Sequence, residues 1–158
     1  LRSKNRPIGL AGRAIILGGL SFYLLPTFQK SERLSDQRVI EALFANKGTA
    51  YLCYPVRIVW VASPRLSQTQ VLVSVSKKRF KKAVDRNRIK RLIRSAWRLH
   101  KASFSERLEA IKHPPVGLLL LYVGKEILSY PEVEQGVLRA IRKWSPAEPS
   151  TPAPEKQL

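Results

Sequence analysis

Residues 77–101 hold twelve Lys and Arg (Lys77, Lys78, Arg79, Lys81, Lys82, Arg86, Arg88, Lys90, Arg91, Arg94, Arg98, Lys101) and one acid, Asp85. Through the same stretch Ile89, Leu92, Ile93, Ala96 and Trp97 recur at the spacing of one apolar stripe on an α-helix. The spacing predicts a helix from Asp85 to about Lys101 with one face in a protein core and the other almost wholly basic. Lys90, Arg91, Arg94 and Arg98 share that basic side, where like charges at helical spacing repel by roughly a few tenths of a kcal/mol per pair. A solvated helix mixes signs, whereas a stripe of one sign is stable mainly beside phosphates. The planar guanidinium grips phosphate through paired hydrogen bonds, and Asn87 between Arg86 and Arg88 can reach a base edge or a backbone group.

The remainder of the chain sets limits on that reading. A length of 158 residues, 44% of them hydrophobic, favours one domain with a modest core, and a net charge of +18 calls for a polyanionic partner. The one cysteine, Cys53, forms no intrachain disulfide, and with only His100 and His113 beside it no four-ligand zinc site can be assembled. Arg2, Lys4, Arg6 and Arg13 precede an apolar stretch, Ala14 to Leu25, in the manner of a signal peptide. Twelve residues are too few to span a bilayer, and Pro26, Thr27 and Phe28 follow in place of a small-x-small cleavage site. The absence of Met, even at position 1, points to a non-standard initiation codon or an extension upstream of the true start. Residues 1–26 are therefore read as such an extension, with a cytoplasmic location and no stable membrane association expected. Residues 145–158, with four prolines and no apolar periodicity, are expected to be a disordered tail, which leaves 27–144 as the folded unit.

Within that unit Ser35 is a plausible helix cap, Asp36 suits a first turn, and Val39, Ile40, Leu43 and Phe44 line one face, predicting a helix over 36–46 that stops at Gly48. Tyr51 to Ala62 and Val71 to Val75 have strand composition and are expected to pair antiparallel. Val116 to Val123 reads as a strand buried on both faces. Ser129, Pro131 and the spacing of Val133, Val137, Leu138 and Ile141 predict a last helix. The order helix, strand, strand, helix, strand, helix implies an α+β fold, a two-layer α/β sandwich with helices packed on a small sheet.

Ser74-Val75-Ser76-Lys77-Lys78 followed by Ala83-Val84-Asp85-Arg86-Asn87-Arg88-Ile89-Lys90-Arg91-Leu92-Ile93-Arg94 closely resembles the signature of the bacterial ribonuclease P protein component. The resemblance extends to Glu32-Arg33-Leu34, Tyr54-Pro55-Val56-Arg57 and the final strand and helix, covering about 28–143. It implies a sandwich of the ribosomal-protein type and an accessory, RNA-binding subunit of the endoribonuclease. Its catalytic RNA holds Mg2+ and cleaves the 5′ leader from precursor tRNA, and the protein supplies no catalytic side chain. Carried over by position, Arg86, Asn87, Arg88, Lys90, Arg91 and Arg94 contact the catalytic RNA and border the leader path, and Lys77, Lys78, Arg79 and Arg98 extend the RNA-binding set. In this family a cleft between first helix and sheet takes the single-stranded leader, with Ile40, Phe44 and Trp60 as the candidate positions here. Ile40 departs from the aromatic that many relatives place there, and Phe44 and Trp60 also fit core positions.

Two other classes compete with this reading. A self-sufficient metal nuclease needs converging carboxylates, yet the near-neighbour acid pairs, Glu32 with Asp36 and Glu132 with Glu134, sit where helix starts collect acids. A ribosomal-type structural RNA-binding protein accounts for the charge and fold but not for the Arg-Asn-Arg run.

Overall fold

A computed structural model describes residues 14–17, 20–23, 26–45 and 47–145. In chain order the elements are β1 (Ala14–Leu17), β2 (Leu20–Tyr23), a 3-10 turn (Lys30–Glu32), α1 (Gln37–Phe44), β3 (Thr49–Cys53), β4 (Val56–Ala62), β5 (Gln70–Val75), α2 (Ala83–Ala110), β6 (Val116–Tyr122) and α3 (Tyr130–Lys143). The fold is α+β. In the stretch read as an N-terminal extension, β1 and β2 pair antiparallel as a separate two-stranded sheet. The proline-rich segment from residue 146 lies outside the described residues.

The main sheet has the order β3-β4-β6-β5. Its central strand β6 runs antiparallel to β4 on one edge and parallel to β5 on the other, and its run Leu118–Leu121 is buried on both faces along most of its length because α2 and α3 pack on one face and α1 on the other. Two sequence expectations are corrected here. The run from Tyr51 to Ala62 is a hairpin, β3 and β4, turned at Tyr54 and Pro55. The strand that was to pair with Val71–Val75 is separated from it by β6, so β5 has only a parallel neighbour.

Strand alternation sorts the side chains into two cores. Val56, Ile58, Trp60, Val73, Val75, Leu118, Leu120 and Tyr122 face α2 and α3, and Val59 and Leu119 face α1 together with Leu34, Val39, Leu43 and Leu66. At about 25 cal/mol per Å² of apolar area, the larger core is the chief source of stability. α2 extends well beyond Lys101 because its stripe continues through Phe104 and Leu108, and its 28 residues make a rod about 42 Å long. Its far end is anchored to α3. Arg107 donates to the carbonyls of Ile141 and Trp144, and Trp144, 1% exposed, packs edge-on against Phe104 and Trp60. Nearer the middle, His100 Nε2 lies 2.7 Å from Glu134 Oε1.

α1 begins one residue later than expected from a Ser35 cap. Asp36 itself is the cap, its carboxylate accepting from the backbone N–H of Arg38 and Val39 at 3.0 and 3.2 Å. The helix approaches the sheet closely at Gly117, where an added Cβ would lie 2.6 Å from Val39 Cγ1. α1 is short, so it covers only part of its face of the sheet.

Candidate nucleic-acid interface

The part of the sheet that α1 leaves uncovered is the cross-strand row Leu52, Arg57, Leu121 and Ser74, aligned by the register of all four strands. Leu52 is 63% exposed, while the other three are half-buried. A groove of about 500 Å³ opens over the Leu52–Arg57 end of this row, lined by Ala50, Leu52, Tyr54, Arg57, Arg79 and Val123. Its lining combines apolar side chains with Arg57 and Arg79, which suits an extended strand of unpaired nucleotides: bases meet the apolar side chains and phosphates the arginines.

β5 ends at Val75 beside this row, and the chain enters the turn at Lys77, Lys78 and Arg79, all exposed. Phe80 anchors the turn by packing against Tyr122, ring centroids 5.8 Å apart. Arg79 donates to the carbonyl of Val123 across the end of β6, which holds its guanidinium at the mouth of the groove. Arg86 folds back to donate to the carbonyls of Phe80 and Lys81 at 2.8 and 2.7 Å. Of the Arg-Asn-Arg triplet, then, Arg86 builds the turn, while Asn87 and Arg88 stand exposed.

Further along α2, Arg91 is exposed and Lys90, Arg94 and Arg98 are half-buried. The segment from Thr27 to Arg33 runs between this helix and the β5 edge, with Arg33 bridging to Val71, and is held by Lys101, which donates to the Thr27 carbonyl and pairs with Glu32. Arg33, Arg94 and Arg98 thereby meet around a hollow of about 250 Å³ with Thr27, Phe28 and Ser95. Burial, and then the charge of Arg33, lower the pKa of Arg94. Among the described residues none of these three arginines meets a carboxylate within 4.0 Å, so their charge is available to an outside anion. The basic surface therefore runs from the 77–79 turn over the first turns of α2 to this hollow, and it meets the groove at Arg79.

The three cleft candidates separate. Trp60 is 6% exposed and faces α2 and α3, against Trp144 and His113, so the sheet itself stands between it and the groove. It is a core residue and leaves the candidate set. Ile40 is half-buried in the α1 core. Phe44, on the last turn of α1, is 53% exposed on the same side of the sheet as the groove, although neither it nor Ile40 lines the groove. Sequence reasoning missed Arg33, Leu52, Tyr54 and Arg57 as site residues. The signal for Tyr54 and Leu52 was Pro55, since a proline inside a strand-like run marks a turn or an edge, where large apolar side chains can stay uncovered.

The acids have other work. Asp36 caps α1 and pairs with Arg65 at 3.1 Å, Glu132 closes the capping box of α3 with Ser129, Glu32 pairs with Lys101, and Glu134 meets His100. Among the described residues no three His, Cys, Asp or Glu side chains gather in one place, and no helix there is long and apolar enough to cross a membrane.

The family model described as Ribonuclease P matches residues 28–127. A ribonuclease P protein component of Porphyromonas gingivalis is 35% identical over 130 residues, spanning 80% of this chain and 93% of that protein. One from Chlorobium phaeobacteroides is 33% identical over 116 residues, 68% of this chain and 79% of that protein. In fold the chain is similar to the RNase P protein of Staphylococcus aureus, at a TM-score of 0.57 and 18% identity over 72% of this chain and 94% of that one. The RNase P protein from Thermotoga maritima gives 0.53 at 17% identity over 72% and 98%. The matched region contains the 77–79 turn, the Arg-Asn-Arg triplet and the uncovered sheet row, and with identity of this order across four fifths of its length the chain belongs to the ribonuclease P protein component family.

Proposed function

We propose that this chain, as the RNA-binding protein subunit of ribonuclease P, holds the catalytic RNA against its basic crest and the 5′ leader of precursor tRNA in the uncovered groove. The observation that carries this reading is the adjacency of the two surfaces. The exposed 77–79 turn contributes Arg79 to the lining of the groove, beside Arg57 and apolar side chains, and leads directly into α2, where exposed Arg88 and Arg91 continue the basic surface. Joined through that turn, the two surfaces reduce repulsion between two RNAs and hold a single strand extended. Hydrolysis of the phosphodiester is assigned to the catalytic RNA together with the Mg2+ ions it holds. That assignment is supported by Glu32, Asp36, Glu132 and Glu134, the acids of the near-neighbour pairs, whose carboxylates cap helices and meet basic side chains.

The test is the affinity of the holoenzyme for precursor tRNA relative to mature tRNA. The wild-type protein is expected to favour the precursor, and Arg57→Ala and Arg79→Ala each to reduce that preference several-fold while leaving mature tRNA binding near its original value. Equal affinity for the two RNAs with the wild-type protein would rule out leader binding in the groove.

A further inference from the structure

Tyr54 separates the groove from a second depression. Beyond its ring the surface dips into a hollow of about 330 Å³, lined by Tyr54, Pro55, Leu128, Pro131, Gln135 and Arg139, with Glu132 at its edge. This is the small end of ligand-pocket volumes, roughly 300–1,000 Å³. The hollow lies between the β3–β4 turn and the first half of α3. Tyr54 is 51% exposed, yet its base is fixed, because its carbonyl accepts from Arg139 Nη2 at 3.1 Å and the adjoining Pro55 packs against Gly136; Arg139 Nε donates to the Gln135 carbonyl at 3.2 Å, which leaves Nη1 to meet an anion.

The polar groups here are unequal. The Glu132 carboxylate is taken up by the backbone N–H and hydroxyl of Ser129 at 2.9 and 2.7 Å. The Gln135 carboxamide, with a donor and an acceptor to offer, has no hydrogen-bond partner among the described residues. The site thus combines an aromatic face, proline and leucine walls, one neutral amide and one guanidinium. A nucleotide presents the complementary parts: a π-face, a base edge and a phosphate. The hollow also continues a groove that bears Arg57 and Arg79 and shares Tyr54 with it.

We propose that this hollow is a nucleobase subsite, in which one unpaired base of the leader stacks on Tyr54 with its edge toward Gln135 and its phosphate toward Arg139. The proposal rests on the leader occupying the groove. It makes Tyr54 a determinant of which leader position the protein senses.

The experiment uses holoenzyme assembled from the full chain and its cognate catalytic RNA, with precursor tRNAs carrying an abasic nucleotide at one leader position at a time. With the wild-type protein, one position is expected to lose about five- to tenfold in affinity when its base is removed, the low end of base–aromatic stacking. Tyr54→Ala is expected to lose the same factor on the intact leader and to become insensitive to that abasic site, and Tyr54→Phe to stay within about twofold of wild type. The proposal is overturned if no leader position is sensitive with the wild-type protein, a result that needs no variant to fold. It is equally overturned if Tyr54→Ala, with a wild-type circular-dichroism melt, keeps the abasic sensitivity. A preference for precursor over mature tRNA that persists in wild type and Tyr54→Ala alike removes the subsite and keeps the groove, whereas loss of that preference in the wild-type protein removes both.

Discussion

Arg86 and Arg88 are two residues apart in a basic motif, and the structure gives them different work. Arg86 holds the Phe80 and Lys81 carbonyls that shape the turn before α2, so Arg86→Ala is expected to lower stability by about 1–2 kcal/mol in a denaturant melt, the scale of hydrogen bonds from a charged donor. Arg88 and Arg91 are exposed. Their alanine variants should melt like wild type and weaken assembly with the catalytic RNA, each lost phosphate contact flattening the log affinity–log salt slope by about 0.7–0.9. An unfolded Arg88→Ala or an unchanged slope would contradict that division of labour. Asp36 offers a pH test. Its carboxyl is held below the ordinary range, first by the hydrogen bond from Arg65 and then by the N–H of Val39. A folded-state pKa below the unfolded one adds stability above the unfolded value, about 3.9, and loses it as pH falls through the folded value. Asp36→Asn, which keeps a capping oxygen, should therefore show a shallower loss of stability below about pH 4 than wild type.

At the level of elements, the contact of α3 with the β3–β4 turn sets the shape of both the groove rim and the hollow beside it. Gly136 is where helix and turn touch. A Cβ there would lie 2.7 Å from Pro55 Cδ and 3.1 Å from the Cys53 carbonyl oxygen. Helix propensity alone would make Gly136→Ala stabilising by about 1 kcal/mol, but backbone and a proline ring cannot swing away, so a net destabilisation of about 1–3 kcal/mol is expected in the same melt. This contact also shows where the sequence was legible. Helices α2 and α3 were readable because their signals are local: the Ile89 to Trp97 stripe, and the Ser129 and Pro131 start. The ends and neighbours of strands were not. Tyr54 and Pro55 turn the chain inside a run of aromatic and β-branched residues, and strand composition alone does not reveal that turn. The parallel pairing of β5 with β6 depends on contacts across the long α2 crossover. Trp60 could be read as cleft or core for a related reason. Val56, Ile58, Val59 and Trp60 are all buried, and a strand covered on both faces has no polar alternation to tell one side from the other. The basic crest was legible as a set of residues, but which arginine was spent on the fold became visible only with the turn in place.

For the molecule as a whole, the distribution of charge follows from the division into two cores. The larger core between the sheet and α2 with α3 supplies the stability, which leaves exposed cations such as Lys77, Lys78, Arg88 and Arg91 without a structural partner, while Arg79, Arg86 and Lys101 tie the turn and the 27–33 segment in place. Like charges gathered there cost the isolated protein some stability through repulsion, and that cost is relieved by RNA phosphates. Binding is therefore expected to collapse at high salt while the fold persists. Glu32, Asp36, Glu132 and Glu134 are taken up by helix starts and ion pairs, and among the described residues no three Asp, Glu, His or Cys side chains gather, so the protein is expected to accelerate cleavage only through an RNA. The most direct test is cleavage of precursor tRNA at low Mg2+ by the full chain alone, by its cognate catalytic RNA alone, and by the two together. Cleavage by the mixture that is faster than with RNA alone, with none from the protein alone, is the result this structure predicts. Tight, salt-sensitive binding to the RNA without any acceleration of leader removal would contradict it.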